Sequence, residues 1–98
     1  MNMNNLMAQA QKMQKDLEKK QQEIQNSEYE GTSQLVDVVL YGTKKIKSIK
    51  IKADQLDAED MEILEDMIKI AVNDAITKIE KDTESKMGMY GKALGGLM

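Results

Sequence analysis

The first 26 residues alternate apolar and polar positions with the period of a helix. Apolar residues recur at steps of three and four, and Lys20 fills the one remaining position of that stripe. Good helix formers occupy the rest, so we predict one long helix from about Asn4 to Asn26. The stripe is narrow, so we expect the helix to project from the body and to need a partner. Its apolar positions are Met3, Leu6, Ala10, Met13, Leu17 and Ile24.

Two predicted strands follow this helix. Residues 35–41 are dense in β-branched and aliphatic residues, and residues 46–52 alternate isoleucine with lysine. Residues 41–44 contain a glycine, which predicts the turn of an antiparallel hairpin between the two strands. We expect Tyr29 and its neighbours to add a short edge strand, which gives a three-stranded sheet.

The second hairpin strand contains an irregularity in its alternation. The step from Ile46 to Ile49 is three residues and breaks the period of two. If Ile46, Ile49 and Ile51 all face the core, the strand needs a β-bulge near residues 47–48.

The last helix has a well-marked start. Asp57 is a capping residue, and Asp60 lies at the third helical position, as in a capping box. From Met61 to Ile79 the apolar residues form a broad face that suits one side of a sheet. We therefore predict an α+β fold in the order α-β-β-β-α. We expect residues 1–88 to form the domain and residues 89–98, with their closely spaced glycines, to form a flexible tail.

A chain of 98 residues buries little surface as a single domain, so we expect it to oligomerise. The apolar faces of the predicted elements supply the core and the dimer contacts. These predicted positions are Leu6, Met13, Leu17, Val36, Val38, Leu40, Ile49, Ile51, Leu64, Ile68 and Val72.

Composition excludes most kinds of catalytic site. The chain has no Cys and no His, which removes disulfides, thiolate zinc sites, the common nucleophile triads and the imidazole proton shuttle. The acids of residues 54–66 lack the calcium-loop spacing, and a helix N-terminus explains them. We therefore expect no enzyme activity, no metal, no cofactor and no small-molecule substrate.

With no signal-peptide pattern and no apolar run of about 20 residues, we expect a cytoplasmic protein without membrane contact.

The charge of the chain is distributed unevenly along the sequence. A net charge of −3 argues against a nucleic-acid partner, because cations placed against phosphates dominate DNA affinity. However, residues 54–84 hold eleven acids against three lysines, while residues 1–27 and 28–53 are each net positive. The negative charge is therefore concentrated in one segment.

Three groups of lysines are candidates for DNA contact. Those of the first helix follow roughly one face and could track a phosphate strand, although from sequence alone a solvated face is the stronger explanation. Those of the hairpin could contact DNA or protect an edge strand from aggregation. Those of the last helix could simply complement its dipole. The three groups are Lys12, Lys15, Lys19 and Lys20; Lys44, Lys45 and Lys47, followed by Lys50 and Lys52; and Lys78, Lys81 and Lys86.

Several local strings of the chain are distinctive: Leu6 to Lys15, Tyr29-Glu30-Gly31, Lys50-Ile51 leading to Leu56, Glu62 to Met67 continuing to Asn73-Asp74-Ala75, and Lys86-Met87-Gly88. These strings resemble those of the YbaB/EbfC family. The resemblance covers residues 4–90, and its most specific part is the opening string. The chain departs from the family in its short tail without a Pro-rich ending and in its unusually lysine-rich strand.

This resemblance implies an intertwined, tweezer-like homodimer in which hairpins and last helices form a shared body and the first helices are the arms. It also implies a bacterial, nucleoid-associated protein that binds double-stranded DNA with weak sequence preference and alters its conformation, with roles in nucleoid organisation and gene regulation. It favours DNA contact over the solvated-face explanation for the first helix. One alternative is a protein-interaction module for replication or repair machinery. Another is an RNA-binding accessory factor, against which the lack of stacking aromatics counts.

Overall fold

A computed structural model describes residues 3–95, with side chains to residue 88. Residues 1, 2 and 96–98 lie outside the described part. The order α-β-β-β-α is confirmed, including the short edge strand. The elements are α1 (Met3–Asn26), β1 (Glu28–Thr32), β2 (Val36–Tyr41), β3 (Ile46–Ile51) and α2 (Asp60–Gly95).

The three strands form an antiparallel sheet in the order β1-β2-β3. Val39 pairs with Ser48, whereas the next residue, Leu40, pairs with Ile46, so Lys47 is an extra residue in β3. The predicted bulge is therefore confirmed. Because of it, one face of β3 carries all three isoleucines and continues the apolar face of β2.

The core lies between this sheet face and α2. The β2 side chains alternate between the core and the outer face, and the small residues of α2 let the helix approach the sheet closely. Leu64, Ile68 and Val72 of α2 are partly buried against the same cluster. The fully packed members are Val36, Val38, Leu40, Ala71, Ala75 and Ile79.

Gly31 permits the close approach of β1 to α2. A Cβ atom at this position would overlap the carbonyl oxygen of Ala71 and crowd Ala75. One residue further on, the backbone N–H of Thr32 donates a hydrogen bond to the carboxylate of Asp74, at 3.0 Å. The two contacts set the register of α2 along the edge strand.

The inner face of β3 has no cover in the single chain. α2 packs on β1 and β2 and makes no contact with β3 among the described residues. As a result Ile46, Ile49 and Ile51 are 52%, 45% and 41% exposed, although they continue the buried face of β2. An apolar sheet face of this kind is suited to contact with another polypeptide.

Most of α1 projects from the body as an arm (residues 3–23). Ile24 is buried and Leu17 is half-buried, whereas Leu6 and Met13 are exposed. The radius of gyration is 19.3 Å, against about 13 Å for a compact domain of about 100 residues. α1 measures about 36 Å and residues 60–82 of α2 about 35 Å, which together match the 71 Å long axis. The prediction of a projecting first helix is correct.

The ends of α2 have distinct features. At its start the carboxylate of Asp60 accepts a hydrogen bond from the backbone N–H of Asp57, at 3.0 Å, which is one half of the predicted capping box. Helical structure continues to Gly95, with non-helical dihedral angles at Gly88 (φ 19°, ψ −104°). The proposed separation of a flexible tail at residues 89–98 stays a prediction.

Candidate nucleic-acid interface

Three lysines form a row along the outer side of the arm. Lys12, Lys15 and Lys19 are exposed. Successive helical residues turn by about 100°, so the three lie within an arc of about 60°. None of them forms an ion pair within the part of the chain that the structure describes. Their ammonium groups are therefore available to an external anion. We call these three the arm lysines.

Lys20 differs from the arm lysines in its position. It follows the apolar stripe of α1 and is half-buried. Residues such as Leu17 and Ile24 on the same stripe pack towards the body, so Lys20 lies at the junction of arm and body. The sequence grouped it with the arm lysines by spacing and also placed it on the apolar stripe, and its half-buried position agrees with the stripe.

The outer half of the arm has no negative charge of its own. Residues 3–15 contain Lys12 and Lys15 and no acid, and the first acid along α1 is Asp16. Side chains of Asn and Gln fill most other polar positions. A polyanion approaching this end of the molecule meets no carboxylate of α1 before Asp16.

The hairpin lysines divide into two sets in the structure. Lys47 is paired with Glu28, which raises the pKa of Lys47, and Lys52 lies 3.2 Å from the carboxylate of Asp37. Lys50 stands opposite Asp37 in the strand register. We call Lys47, Lys50 and Lys52 the strand lysines. Acids on the neighbouring strands offset most of their charge.

Lys44 and Lys45 belong to the turn that connects β2 to β3. Both are exposed, and neither forms an ion pair among residues 3–95. We call them the turn lysines. The sequence predicted all five hairpin lysines as one cluster, because it shows their spacing but not which acids lie across the sheet.

Two of the three candidates on α2 are held within the chain. Lys78 lies 3.6 Å from the carboxylate of Asp74 and donates a hydrogen bond to the backbone carbonyl of Glu30, at 2.7 Å. Lys86 lies 3.2 Å from Asp82. Only Lys81 of this group is without an ion pair in the described residues. Lys78 and Lys86 therefore contribute to contacts within the fold, whether or not they also contact DNA.

A side-chain network joins β1 to the end of the body from which the arm leaves. The hydroxyl of Tyr29 donates a hydrogen bond to Asp82, which also pairs with Lys86. Burial, the hydrogen bond and the charge of Asp82 raise the pKa of Tyr29 to about 12. The same hydrogen bond, with a smaller contribution from Lys86, lowers the pKa of Asp82. Sequence reasoning missed this network because its members are 53 residues apart in the chain.

The acidic segment lies at the far end of the body from the arm. α2 runs antiparallel to β1, since Tyr29 meets Asp82 and Thr32 meets Asp74. Residues 60–66 are therefore at least about 12 Å beyond Asp74, away from α1. The molecule is thus polarised, with the lysines of the arm and of the β2–β3 turn at one end and its densest carboxylates at the other.

Within residues 3–95, no group of three or more Cys, His, Asp or Glu side chains is arranged to hold a metal ion. No helix in the same range has the length and apolar character needed to cross a membrane.

The fold and the lysine arrangement together define a class: a small α+β protein that projects a cationic helix from a two-layer body. The chain belongs to the YbaB/EbfC DNA-binding family, whose model matches residues 1–94. The resemblance noted in the sequence is thereby confirmed.

Relatives of this chain come from several bacteria. It is 48% identical over 96 residues to a nucleoid-associated protein of Lactococcus lactis subsp. lactis, covering 96% of this chain and 97% of that one. It is 43% identical over 97 residues to a nucleoid-associated protein of Enterococcus faecalis, covering 97% and 93%. A nucleoid-associated protein of Ruminiclostridium cellulolyticum is 46% identical over 98 residues, covering 98% and 85%.

Proposed function

We propose that this protein binds double-stranded DNA as a homodimer with low sequence specificity and alters the conformation of the duplex. In the cell it acts without catalysis, in the cytoplasm and at the nucleoid, in nucleoid organisation and gene regulation. One observation carries the proposal: the arm lysines form an exposed, unpaired row on a helix that projects from the body. The names of the bacterial relatives support it.

The chemistry of the arm favours weak sequence preference. Lysine ammonium groups are point charges that bind phosphate oxygens, and phosphate contacts position a protein without reading bases. Binding by this route releases counterions and is steeply dependent on salt. Two arms on one dimer hold the duplex at two places. The DNA between them then adopts the path that the dimer imposes, at a cost that depends on its deformability.

The uncovered face of β3 supports a homodimer. Ile46, Ile49 and Ile51 continue the core face of the sheet beyond the edge of α2. A second copy presents the same apolar surface, and two-fold symmetry brings such surfaces together in self-complementary fashion. Burial of this face also adds apolar core to a chain that is otherwise small.

Removal of charge from the arm tests the proposed DNA contact. The triple variant Lys12→Gln, Lys15→Gln, Lys19→Gln removes six charges from a dimer while leaving the core unchanged. We expect weaker binding to a duplex, and a slope of log affinity on log salt that is shallower by up to about 5. Fluorescence anisotropy of a labelled duplex over a range of salt concentrations measures both.

The matched control replaces the same three residues with Arg, which keeps the charge. We expect this variant to bind with nearly the wild-type salt slope. An unchanged slope for the Gln variant places the DNA elsewhere on the molecule, and failure of the wild-type protein to bind duplex at all rejects the proposed function.

A second candidate is a protein-interaction module for replication or repair machinery. The exposed apolar side chains of Met3, Leu6 and Met13 on the arm favour it, because such a stripe packs well against a partner helix. In that case the protein captures a purified partner without DNA and independently of salt, and Leu6→Gln with Met13→Gln abolishes the capture. Salt-dependent binding to DNA that survives these changes favours the first proposal.

A further inference from the structure

We propose that the β2–β3 turn, Gly42 to Lys45, is a second phosphate-contact point of the DNA interface. In it the turn lysines, Lys44 and Lys45, extend the row of arm lysines to the base of the arm. The inference rests on the proposed DNA binding and specifies a site within it.

The turn is packed directly against the end of α1. Gly42 lies so close to the carbonyl of Ile24 that a Cβ atom on it would overlap the carbonyl oxygen. The backbone N–H of Gly42 donates a hydrogen bond to the carbonyl of Ser27, at 3.1 Å. These contacts hold the turn at the point where α1 enters the sheet. The turn lysines therefore lie at the base of the arm, about 8 Å along the helix axis from Lys19.

The turn lysines differ from the strand lysines of the same hairpin in their electrostatic surroundings. Lys47 and Lys52 are paired with Glu28 and Asp37. Lys44 and Lys45 are exposed and form no ion pair within residues 3–95. An unpaired ammonium group is the kind that neutralises a phosphate and releases a counterion.

Lys44 also occupies a backbone position that does not favour lysine. Its φ is 73°, and its N–H donates to the carbonyl of Tyr41 at 2.8 Å, while the N–H of Tyr41 donates to the carbonyl of Lys45 at 2.9 Å. This is a type I turn followed by a left-handed residue, for which Gly or Asn is the preferred choice. The sequence places a cation there at a conformational cost. A functional contact accounts for a strained residue of this kind.

The duplex is the occupant that these observations favour. The turn lies at the base of the arm that carries the arm lysines and at the end of the body opposite the acidic segment of residues 54–66, so a polyanion bound along the arm reaches it without passing that segment. The ligand is thus the same phosphate backbone that the arm lysines bind. An acidic protein surface remains the alternative that the experiment must separate.

The key experiment uses two variants of the turn. Lys44→Gly removes a cation and also relieves the left-handed strain, so we expect Tm to be unchanged or higher and DNA binding to be weaker. Lys44→Gln with Lys45→Gln removes four charges per dimer, and we expect the slope of log affinity on log salt to become shallower by up to about 3.6. Anisotropy titrations of a labelled duplex at several salt concentrations give the slope, and thermal unfolding gives Tm.

The control is Lys47→Gln with Lys52→Gln, which removes the same number of charges from ion-paired positions of the same hairpin. We expect it to leave the salt slope unchanged. The inference is overturned if the turn variants keep the wild-type slope, or if they alter the mass of the dimer and not DNA binding. In either case, binding of the duplex by the wild-type protein still supports the proposed function. If the wild-type protein does not bind duplex, both the turn site and the proposed function are rejected.

Discussion

At the scale of single residues, Tyr29 links the edge strand to the end of the body from which the arm leaves. Its hydroxyl donates to Asp82, which Lys86 also holds. Each carboxylate oxygen has more than one lone pair, so Asp82 accepts from both without competition. A network of this kind fixes the relative positions of β1 and α2 just where α1 begins to project.

Tyr29→Phe should lower the free energy of unfolding by about 1–2 kcal/mol at neutral pH, because it removes a hydrogen bond to a charged acceptor. The pKa of Tyr29 is raised from its ordinary value of 10.0 to about 12. Its stabilisation is therefore present below pH 10 and lost as the pH rises towards 12. Urea unfolding of both proteins at several alkaline pH values measures the difference.

We expect the difference in free energy of unfolding between wild type and Tyr29→Phe to shrink between pH 10 and pH 12. The lysines titrate in both proteins, so their contribution does not affect this difference. Tyr41→Phe is the control, because the hydroxyl of Tyr41 makes no hydrogen bond in the described residues. A constant difference for Tyr29→Phe up to pH 12 shows that the hydroxyl does not stabilise the fold in this way.

The individual lysines show what a sequence can and cannot predict about a surface. Spacing along the helix grouped Lys12, Lys15, Lys19 and Lys20 on roughly one face, and in the structure Lys20 lies apart from the other three on the apolar stripe. Spacing could not separate Lys44 from Lys47, since the difference between them is an acid on another strand. Which lysine is free depends on the strand register, and register is a property of the folded sheet.

At the scale of elements, α1 carries an acid between its lysine row and the base of the arm. Glu23 lies one turn beyond Lys19 and within about 40° of it around the helix axis. It stands between the arm lysines and the turn that packs against Ile24. A duplex that follows the row to the base of the arm therefore passes a carboxylate.

Glu23→Gln should strengthen DNA binding severalfold at low salt, because it removes a like charge from the path of the phosphates. The gain should fade as salt screens the interaction over a Debye length of about 10 Å at 0.1 M. Titration of the same labelled duplex at low and high salt measures the effect.

Glu18→Gln is the matched control for that prediction. It makes the same change of charge on the same helix, but about 140° around the axis from Glu23. We expect a clearly smaller gain in affinity. Equal gains from the two variants indicate a general effect of net charge and no defined path along the row.

The elements themselves were largely predictable, and their packing was not. The bulge at Lys47 followed from one break in a period of two, and the capping box at Asp57 and Asp60 from local chemistry. Nothing in the sequence pattern indicates that α2 covers β1 and β2 but leaves β3 bare, because the apolar faces of β2 and β3 have the same pattern. Helix placement depends instead on Gly31, whose missing Cβ admits Ala71.

At the scale of the whole molecule, the bare face of β3 predicts the oligomeric state. We expect wild-type protein to have twice the mass of the 11.1 kDa chain in light scattering after size exclusion. Ile49→Glu places a carboxylate in the middle of the uncovered face, where burial in a dimer costs several kcal/mol. It should therefore give a monomer, folded or unfolded, at micromolar concentration.

Ser48→Glu supplies the control for the dimer. Ser48 is the neighbouring residue of β3, pairs with Val39 and faces the other side of the sheet. We expect it to keep the wild-type mass. A dimer that survives Ile49→Glu but not Ser48→Glu places the contact on the outer face of the sheet instead.

One helix serves both halves of this molecule. Residues 60–82 of α2 cover one face of the sheet. Beyond Asp82 the same helix continues beside α1, and Met87 in this part is buried. The arm is therefore rigidly attached to the body at its base, and α2 has no break in its helical geometry before Gly88. If a stiff duplex binds at the outer end, as proposed, we expect its load to be transmitted as torque into the packed layers, so that the nucleic acid changes shape before the protein does.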